Sequence, residues 1–276
     1  VKTYDGGLSV AGATTAPVAI VAANSGTQLF GTDTLSGGDY AFTNVNAGTG
    51  NRTVTVDNVT VNDDNGGDNY NVSFVSNTTS TINPAAITVS TSNVTKTYDA
   101  TTTALGTAVV TVGSLFTNVS NANTADSLSG GTYAFVGENV SRAGGVSSGS
   151  VLSDKVVTAS DVTVNDGNGG GNYVVTYADN NTSTINPYAI SLTGGRIYDG
   201  TTQVNSDIFS LSQRIGQETL GLTGVGSIQN SHVTLIGTTP QSQVLGSVGT
   251  LALTDGAGLA INYTLTGGTH NVTVNQ

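Results

Sequence analysis

The stretch Lys2-Thr3-Tyr4-Asp5-Gly6 indicates the fold class, because the chain repeats it twice more. It returns as Lys96-Thr97-Tyr98-Asp99-Ala100 and again as Arg196-Ile197-Tyr198-Asp199-Gly200. The three tyrosines are 94 and 100 residues apart. Solenoids have much shorter periods, about 20 residues per rung in a β-helix and about 33 to 47 in helical repeats. A period near 95 residues is typical of one small β-domain per repeat.

Two other motifs follow this opening in the same order. Residues 33–42 return as residues 126–135, with Leu-Ser-Gly-Gly and Tyr-Ala-Phe in both copies. Residues 59–70 return as residues 162–173, and a weaker third copy ends at Tyr263. The middle of the third repeat, residues 211–239, has no recognisable Leu-Ser-Gly-Gly motif.

The repeats predict three tandem domains. They cover residues 1–84, 85–187 and 188–276; the first lacks the strand that precedes the Tyr-Asp motif in the others, and the third has a divergent middle. Pro84 and Pro187 end an Ile-Asn-Pro sequence that closes the first two repeats. We expect these prolines to be the linkers, because proline fixes φ and removes a hydrogen-bond donor.

The composition predicts strands and turns rather than helices. Charged residues make up only 9 % of the chain, so most helix-favouring side chains are scarce. Thr and Val favour strands, while Gly, Asn and Asp favour turns. Apolar and polar residues alternate at 53–56, 71–74 and 87–90. We expect an all-β protein of three tandem antiparallel β-sandwich-like repeat domains in an extended array.

The repeated motifs carry a family resemblance. The Lys-Thr-Tyr-Asp-Gly opening, the Gly-Gly-Asn-Tyr segment and the Ile-Asn-Pro close resemble the YDG-type repeats of large bacterial exoproteins. Those proteins are similar to filamentous-haemagglutinin and high-molecular-weight adhesins exported by two-partner secretion. The resemblance covers all three repeats, apart from the divergent middle of the third. It implies a secreted, cell-surface protein whose repeats form a stalk or biofilm-matrix body without catalysis.

The charge balance argues against two classes of partner. With 7 basic and 18 acidic residues the net charge is −11, so the surface repels phosphate backbones and we expect no nucleic acid binding. The longest apolar run, near residues 16–23, is much shorter than the roughly 20 residues that span a bilayer. We therefore expect no membrane insertion.

Eight of the ten tyrosines occupy repeat-equivalent positions. They are Tyr4, Tyr98 and Tyr198, then Tyr70, Tyr173 and Tyr263, and finally Tyr40 and Tyr133. Because the chain has no Trp and only 6 Phe, these rings are expected to supply much of each core and to anchor loops through their hydroxyls. The alternative is a platform on which sugars stack.

Two sets of aspartates are candidate turn or metal residues. Asp5, Asp99 and Asp199 follow the motif tyrosine and are expected to form Asx-turns. Asp63, Asp64, Asp68 and Asp166 lie in Asn-Gly-rich loops and are weak candidates for calcium ligands, because calcium prefers several oxygen ligands. No bidentate Glu follows at the expected distance, so hairpin-turn chemistry is the stronger interpretation. We otherwise expect no cofactor.

No catalytic motif is recognisable. The chain has no Cys and no phosphate-binding loop, so we expect no enzyme activity. The leading hypothesis is a structural stalk whose partners are neighbouring repeats. One alternative is a subunit of an extracellular filament in which copies of the chain donate strands to one another. Another is a carbohydrate-binding module that contacts extracellular polysaccharide.

Overall fold

A computed structural model describes residues 1–10, 29–120, 122–212 and 214–276. The fold is all-β, with 52 % strand and 4 % helix in several curled sheets. The helical residues form three short 3₁₀ turns at Ala143–Gly145, Ser206–Ile208 and Ala260–Asn262. Among the described residues, no helix is long and apolar enough to cross a membrane. The all-β prediction is confirmed, while the division into three tandem domains is not.

The described residues form 25 strands. In the first two repeats they are β1 Lys2–Thr3, β2 Thr34–Phe42, β3 Gly48–Asn62, β4 Asn77–Asn83, β5 Ala85–Thr91, β6 Thr95–Thr97, β7 Ala108–Val112, β8 Thr117–Asn118, β9 Thr124–Ala125, β10 Ser127–Phe135, β11 Lys155–Asn165, β12 Tyr173–Tyr177 and β13 Asn180–Asn186. In the third repeat they are β14 Tyr188–Ala189, β15 Leu192–Ile197, β16 Gln203–Asn205, β17 Phe209–Leu211, β18 Leu220–Thr223, β19 Val225–Ile228, β20 Leu235–Ile236, β21 Thr239–Pro240, β22 Ser242–Ser247, β23 Ala252–Asp255, β24 Tyr263–Thr264 and β25 His270–Asn275.

Contacts between Cα atoms divide the chain into two compact units. Unit 1 comprises Val1–Ser90, Thr107–Thr132 and Ala159–Ala178, and unit 2 comprises Thr91–Gly106, Tyr133–Thr158 and Asp179–Gln276. Residues of the second repeat therefore contribute to both units. Pro84 lies within unit 1 and Pro187 within unit 2, each as the single residue between two strands.

Unit 1 contains a four-stranded sheet in the order β1-β4-β3-β2 and a three-stranded sheet in the order β12-β5-β7. The β2–β3 hairpin is antiparallel and pairs Phe42 with Val54. In β5 the alternate side chains of Ala85, Ile87 and Val89 are buried, as expected for a strand with one face on a core. Strands β1 and β4 pair in parallel, as do β12 and β5.

Unit 2 contains a six-stranded sheet in the order β16-β19-β22-β25-β15-β17. It includes the parallel pair β15–β25, which runs in register from Leu192 with His270 to Ile197 with Asn275. Alternate residues of β25 are buried, with Val272 and Val274 fully in the core. Parallel pairs such as this one depart from a purely antiparallel sandwich, because strands that open and close a repeat lie side by side.

One predicted strand is absent from the structure. Residues 71–74 alternate in sequence but are not in a strand, whereas the matching residues of the second repeat form β12. Strand β12 is held by five register pairs with β5, the strand that opens the second repeat. No described residue of the first repeat supplies such a strand, so the backbone groups of residues 71–74 have no ladder.

Candidate functional site

The most elaborate polar cluster of unit 1 joins two predicted tyrosines through one carboxylate. The hydroxyls of Tyr4 and Tyr173 both donate to Oδ2 of Asp126, at 2.8 and 2.6 Å. The backbone N–H of Phe116 donates to the Tyr173 hydroxyl at 2.9 Å. All these hydroxyl and carboxylate groups are buried, and each has a partner, as burial of polar groups requires.

The rings of this cluster also have a defined geometry. Phe116 and Tyr173 are stacked, with centroids 6.4 Å apart and an interplanar angle of 13°. Tyr4 meets both rings edge-on, at 5.9 Å and 79° to Phe116 and at 5.4 Å and 76° to Tyr173. Edge-to-face contacts of this kind are worth about 0.5–1.5 kcal/mol beyond the area that they bury.

The backbone positions Tyr4 from both sides. Its N–H donates to the Asn83 carbonyl at 2.8 Å, which continues the parallel ladder between β1 and β4. Two residues later Gly6, at a φ of +76°, lies so close to the Thr117 carbonyl that a Cβ would meet its oxygen at 2.1 Å. The Gly6 carbonyl accepts the Val119 N–H at 3.0 Å. The turn after Tyr4 therefore fits only a residue without a side chain.

Unit 2 contains an equivalent cluster, formed by residues of the second and third repeats. The hydroxyls of Tyr98 and Tyr263 donate to the two oxygens of Glu218, at 2.5 and 2.6 Å. Their rings meet edge-on at 5.5 Å and 72°. The N–H of Ile215 donates to the Tyr263 hydroxyl at 3.1 Å, as that of Phe116 does to Tyr173. The longer Glu218 takes the place of Asp126.

A third cluster, in the first repeat, is only partly built. The Tyr70 hydroxyl donates to Asp33 Oδ2 at 2.6 Å and accepts the Phe30 N–H at 2.8 Å. Phe30 and Tyr70 are stacked with centroids 6.5 Å apart and an angle of 28°. No third ring contacts this stack among the described residues. We call the three clusters site 1 (Phe30, Asp33, Tyr70), site 2 (Phe116, Asp126, Tyr173) and site 3 (Ile215, Glu218, Tyr263).

Sites 2 and 3 each receive a tyrosine from the preceding repeat. We call Tyr4, Tyr98 and Tyr198, which follow the opening strand of each repeat, the corner tyrosines. Tyr4 of the first repeat occupies site 2, and Tyr98 of the second repeat occupies site 3. Both are almost fully buried, with 1 % and 2 % of their surface exposed.

Burial and the adjacent carboxylates change the acidity of these hydroxyls. Burial, followed by the hydrogen bond to Asp126 and its negative charge, raises the pKa of Tyr4 well above its ordinary value. Burial and the bond to Asp126 raise the pKa of Tyr173 in the same way. In site 3, burial and the bond to Glu218 raise the pKa of Tyr98, and raise that of Tyr263 to about 12. The tyrosines are therefore neutral donors at physiological pH.

A buried asparagine beside each occupied site makes a second contact between repeats. Asn172 is fully buried; its Oδ1 accepts the Ala47 N–H at 2.8 Å and its Nδ2 donates to Asn46 at 3.1 Å. Asn262 repeats this arrangement in unit 2, where its Oδ1 accepts the Val140 N–H at 2.9 Å. Asn69, the counterpart beside site 1, is exposed. Each occupied site thus combines a tyrosine and an amide contact.

The remaining corner tyrosine corrects the prediction that all three belong to a core. Tyr198 is 49 % exposed, and its hydroxyl has no hydrogen-bond partner among the described residues. Its N–H still donates to the Asn275 carbonyl at 2.9 Å, as in the other two corners. The backbone of Tyr198 therefore makes the same hydrogen bond as that of Tyr4 and Tyr98, but none of the described residues forms a site for its ring. Tyr40 and Tyr133 are half-buried.

The aspartates of the repeated motif form turns. Oδ1 of Asp5, Asp99 and Asp199 accepts the N–H two residues ahead, at 2.9 Å in each case. Each also pairs with the motif cation three residues earlier, at 2.6, 2.6 and 3.1 Å. The cations of the first two repeats lie over Phe rings: Lys2 over Phe42 at 5.6 Å and Lys96 over Phe135 at 5.5 Å.

The calcium candidates are engaged in turns as well. The Asp63 carboxylate accepts the N–H groups of Asn65, Gly67 and Asn69, and these bonds, that of Gly67 foremost, lower the pKa of Asp63. Asp166 accepts the equivalent three N–H groups of its own loop. Asp64 and Asp68 are exposed. No group of three or more His, Cys, Asp or Glu side chains suited to a metal is found in the part of the chain that the structure describes.

Sequence reasoning missed the acceptors of the tyrosines. Asp33 and Asp126 begin the repeated Leu-Ser-Gly-Gly segment, and that shared position is the signal that could have identified them. Glu218 lies in the divergent middle of the third repeat, but Glu218-Thr219-Leu220 matches Asp33-Thr34-Leu35 once Glu is allowed for Asp. Comparison of the chain with protein-family models, curated proteins and solved structures found no match.

Proposed function

We propose that this chain is the structural stalk or repeat region of a secreted bacterial surface adhesin or biofilm-matrix protein, without catalysis. Its repeats would form three tandem β-sandwich-like domains in an extended array. One observation carries the proposal: the corner tyrosine of a repeat is buried in a site formed by the following repeat, and this occurs twice. Successive repeats are therefore held together by buried side-chain contacts as well as by the chain that joins them.

These contacts between repeats provide the stiffness that a stalk needs. Two hydroxyls bound to one buried carboxylate contribute hydrogen bonds of about 1.5–3 kcal/mol each, because the acceptor is charged. Their geometry admits one orientation of the rings, which restricts bending where repeats meet. The contacts use polar groups and need no disulfide, and the chain has no Cys. A stalk that displays a distant binding surface requires this stiffness.

The surface chemistry supports the same function. A net charge of −11 disfavours contact with nucleic acids. Secretion to the bacterial surface follows from the resemblance to YDG-type repeats. The partners expected are neighbouring repeats, and a stalk of this kind needs no cofactor.

Small-angle scattering of the purified chain tests the proposal. A compact chain of 276 residues has a radius of gyration of roughly 19 Å. We expect a clearly larger value and a stiff-rod profile. Tyr4→Ala combined with Tyr98→Ala is expected to increase the flexibility between repeats, whereas Tyr198→Ala is the matched control and should leave the radius of gyration of the single chain unchanged. A compact wild-type particle would contradict the stalk.

A further inference from the structure

The second repeat contains an insertion in the connection after β10. In the first repeat the N–H of Thr43 donates to the Thr53 carbonyl, ten residues ahead. In the second repeat the corresponding bond joins the Val136 N–H to the Val156 carbonyl, twenty residues ahead. The connection after β10 is therefore ten residues longer than the one after β2, although the flanking strands pair in the same way. The fold of the repeat does not need these extra residues.

The inserted loop is fixed to the third repeat by one side chain. The Arg142 guanidinium donates to the Gly149 carbonyl of its own loop at 3.0 Å. It also donates to the carbonyls of Ile261 and Tyr263, at 3.0 and 3.1 Å. The loop is therefore held in one position before any ligand binds, which lowers the entropic cost of binding.

The third repeat departs from the others in the loop that faces this insertion. Counted back from the last repeated tyrosine, residues 169–171 of the second repeat are all Gly, and their counterparts in the third are Leu259, Ala260 and Ile261. Leu259 is 43 % exposed. The third repeat thus places apolar side chains where the second has none.

The aspartate that begins this loop differs as well. In the second repeat Asp166 is buried, and its carboxylate accepts three backbone N–H groups. Its counterpart Asp255 is exposed, and Oδ1 accepts the Ala260 N–H at 2.7 Å, while no described residue bonds to Oδ2. The ion pairs of the described residues all lie in the Tyr-Asp motifs, so none of them involves Asp255. Its charge is therefore available to a ligand.

The two loops enclose a groove of about 660 Å³ within unit 2. Small-molecule sites have volumes of about 300–1,000 Å³. The residues that line the groove include Asn139, Val146, Ser147, Asp255, Leu259 and Ile261. Val146, on the inserted loop, is 51 % exposed. Two separate departures from the repeat pattern, on different repeats, therefore contribute apolar walls and one unpaired carboxylate to the same groove.

A following repeat leaves this part of the fold accessible. In the second repeat, residues 167, 169 and 171 of the equivalent loop are exposed although the third repeat follows them. We therefore expect the groove to stay open to ligands in a longer series as well.

We propose that this groove binds a small organic cation, with an ammonium group on an apolar body. The ammonium would donate to Asp255, and the apolar body would lie against Val146 and Leu259. A carboxylate beside apolar walls favours this class, because it repels anions and forms a charge-assisted hydrogen bond only with a donor. Sugars usually stack on aromatic rings, and none of the described residues that line the groove is aromatic. This binding activity is additional to the stalk and does not depend on it.

Nuclear magnetic resonance of the ¹⁵N-labelled chain tests the proposal with three probes of equal length. Hexylammonium is expected to shift the amide signals of residues 145–147 and 255–261, with a dissociation constant on the order of 1–10 mM. Hexanol lacks the charge and should bind about three- to tenfold more weakly. Hexanoate should not bind, because its charge is repelled by Asp255. High salt should weaken the binding of hexylammonium and leave that of hexanol unchanged.

Two variants assign the binding to the groove. Asp255→Asn removes the charge but keeps an oxygen for the Ala260 N–H, so it should fold and bind hexylammonium about three- to tenfold more weakly. Leu259→Ser removes an exposed apolar wall and should weaken hexylammonium and hexanol alike. Asp207→Asn and Ile236→Ser, which alter exposed residues outside the groove, are the matched controls and should bind like the wild type.

The possible contrary results have distinct meanings. Equal affinities for hexanol and hexylammonium would overturn the cationic class of ligand. An Asp255→Asn variant that binds hexylammonium as tightly as the wild type would overturn the site. Maltose that shifts the groove signals while hexylammonium does not would identify a carbohydrate groove instead, and would also overturn the proposal. A stiff rod that binds none of the probes would overturn it while leaving the stalk intact.

Discussion

Gly6 and Gly200 offer a matched pair of substitutions that tests how a corner fits its site. Both follow the Tyr-Asp motif, and their φ values are +76° and +77°. An alanine at either position adopts the left-handed conformation at a cost of about 1–2 kcal/mol. A partly offsetting gain of about 0.4–1 kcal/mol comes from restricting the unfolded chain. These two effects are common to both variants. The difference between their losses of stability therefore reports only the atoms that surround each added Cβ.

The surroundings differ sharply. A Cβ on Gly6 would lie 2.1 Å from the Thr117 carbonyl oxygen and 2.8 Å from its carbon, whereas a Cβ on Gly200 meets only the Tyr198 hydroxyl at 3.9 Å. Moving the Thr117 backbone costs about 1–3 kcal/mol by analogy with overpacked cores. It also endangers the bond from Val119 to Gly6, worth about 1 kcal/mol. Gly6→Ala should therefore destabilise unit 1 by about 2–4 kcal/mol more than Gly200→Ala destabilises unit 2.

Urea unfolding followed by circular dichroism gives the total change in the free energy of unfolding. Amide hydrogen exchange shows in which strands stability is lost. With Gly6→Ala, protection should fall in β5, β7 and β12, which form one sheet of unit 1. With Gly200→Ala, exchange in those strands should stay unchanged. Equal losses of stability in the two variants would refute the reasoning, because they would show that the Thr117 contact does not hold the corner.

Three other predictions concern the carboxylates and the tyrosines. Asp126→Ala leaves two buried hydroxyls without an acceptor and should cost about 3 kcal/mol or more in urea unfolding, whereas Asp33→Ala leaves one and should cost about half as much. Because the pKa of Tyr263 is about 12 when folded and about 10 when unfolded, its stabilising effect is complete below pH 10 and is lost as the pH rises through 12. Alkaline unfolding monitored by tyrosinate absorbance should therefore occur in that window, and Tyr263→Phe should weaken this dependence. Asp166→Ala removes the acceptor of three backbone N–H groups and should lower the melting temperature, while added calcium should leave the wild-type melting temperature unchanged; a calcium-dependent rise would restore the metal interpretation.

The sequence predicted local features well where a single strand or turn decides them. The alternating residues 53–56 and 87–90 lie in β3 and β5, and the motif aspartates form turns. The strand predicted at residues 71–74 was wrong, although apolar and polar residues alternate there as they do in a strand. Alternation reports which side chains could face a core, but a strand also needs a neighbour for its backbone groups. That neighbour is contributed by a strand remote in sequence.

The tyrosines illustrate the same limit at the level of the site. Repetition marked all three corner tyrosines as equivalent, and the structure buries two of them and exposes the third. Equivalent sequence does not ensure an equivalent environment when the environment is supplied by the next repeat. Tyr4 reaches an acceptor 122 residues ahead, and Tyr98 reaches one 120 residues ahead. No pattern within a single repeat contains that information.

Because the acceptor of a buried corner tyrosine lies in the next repeat, the repeats of this chain depend on one another. If each repeat folded around its own tyrosine, removing one would delete a self-contained domain and leave the others intact. Because a corner tyrosine is completed by the carboxylate of its successor, a substitution in one repeat destabilises contacts made by the repeat before it.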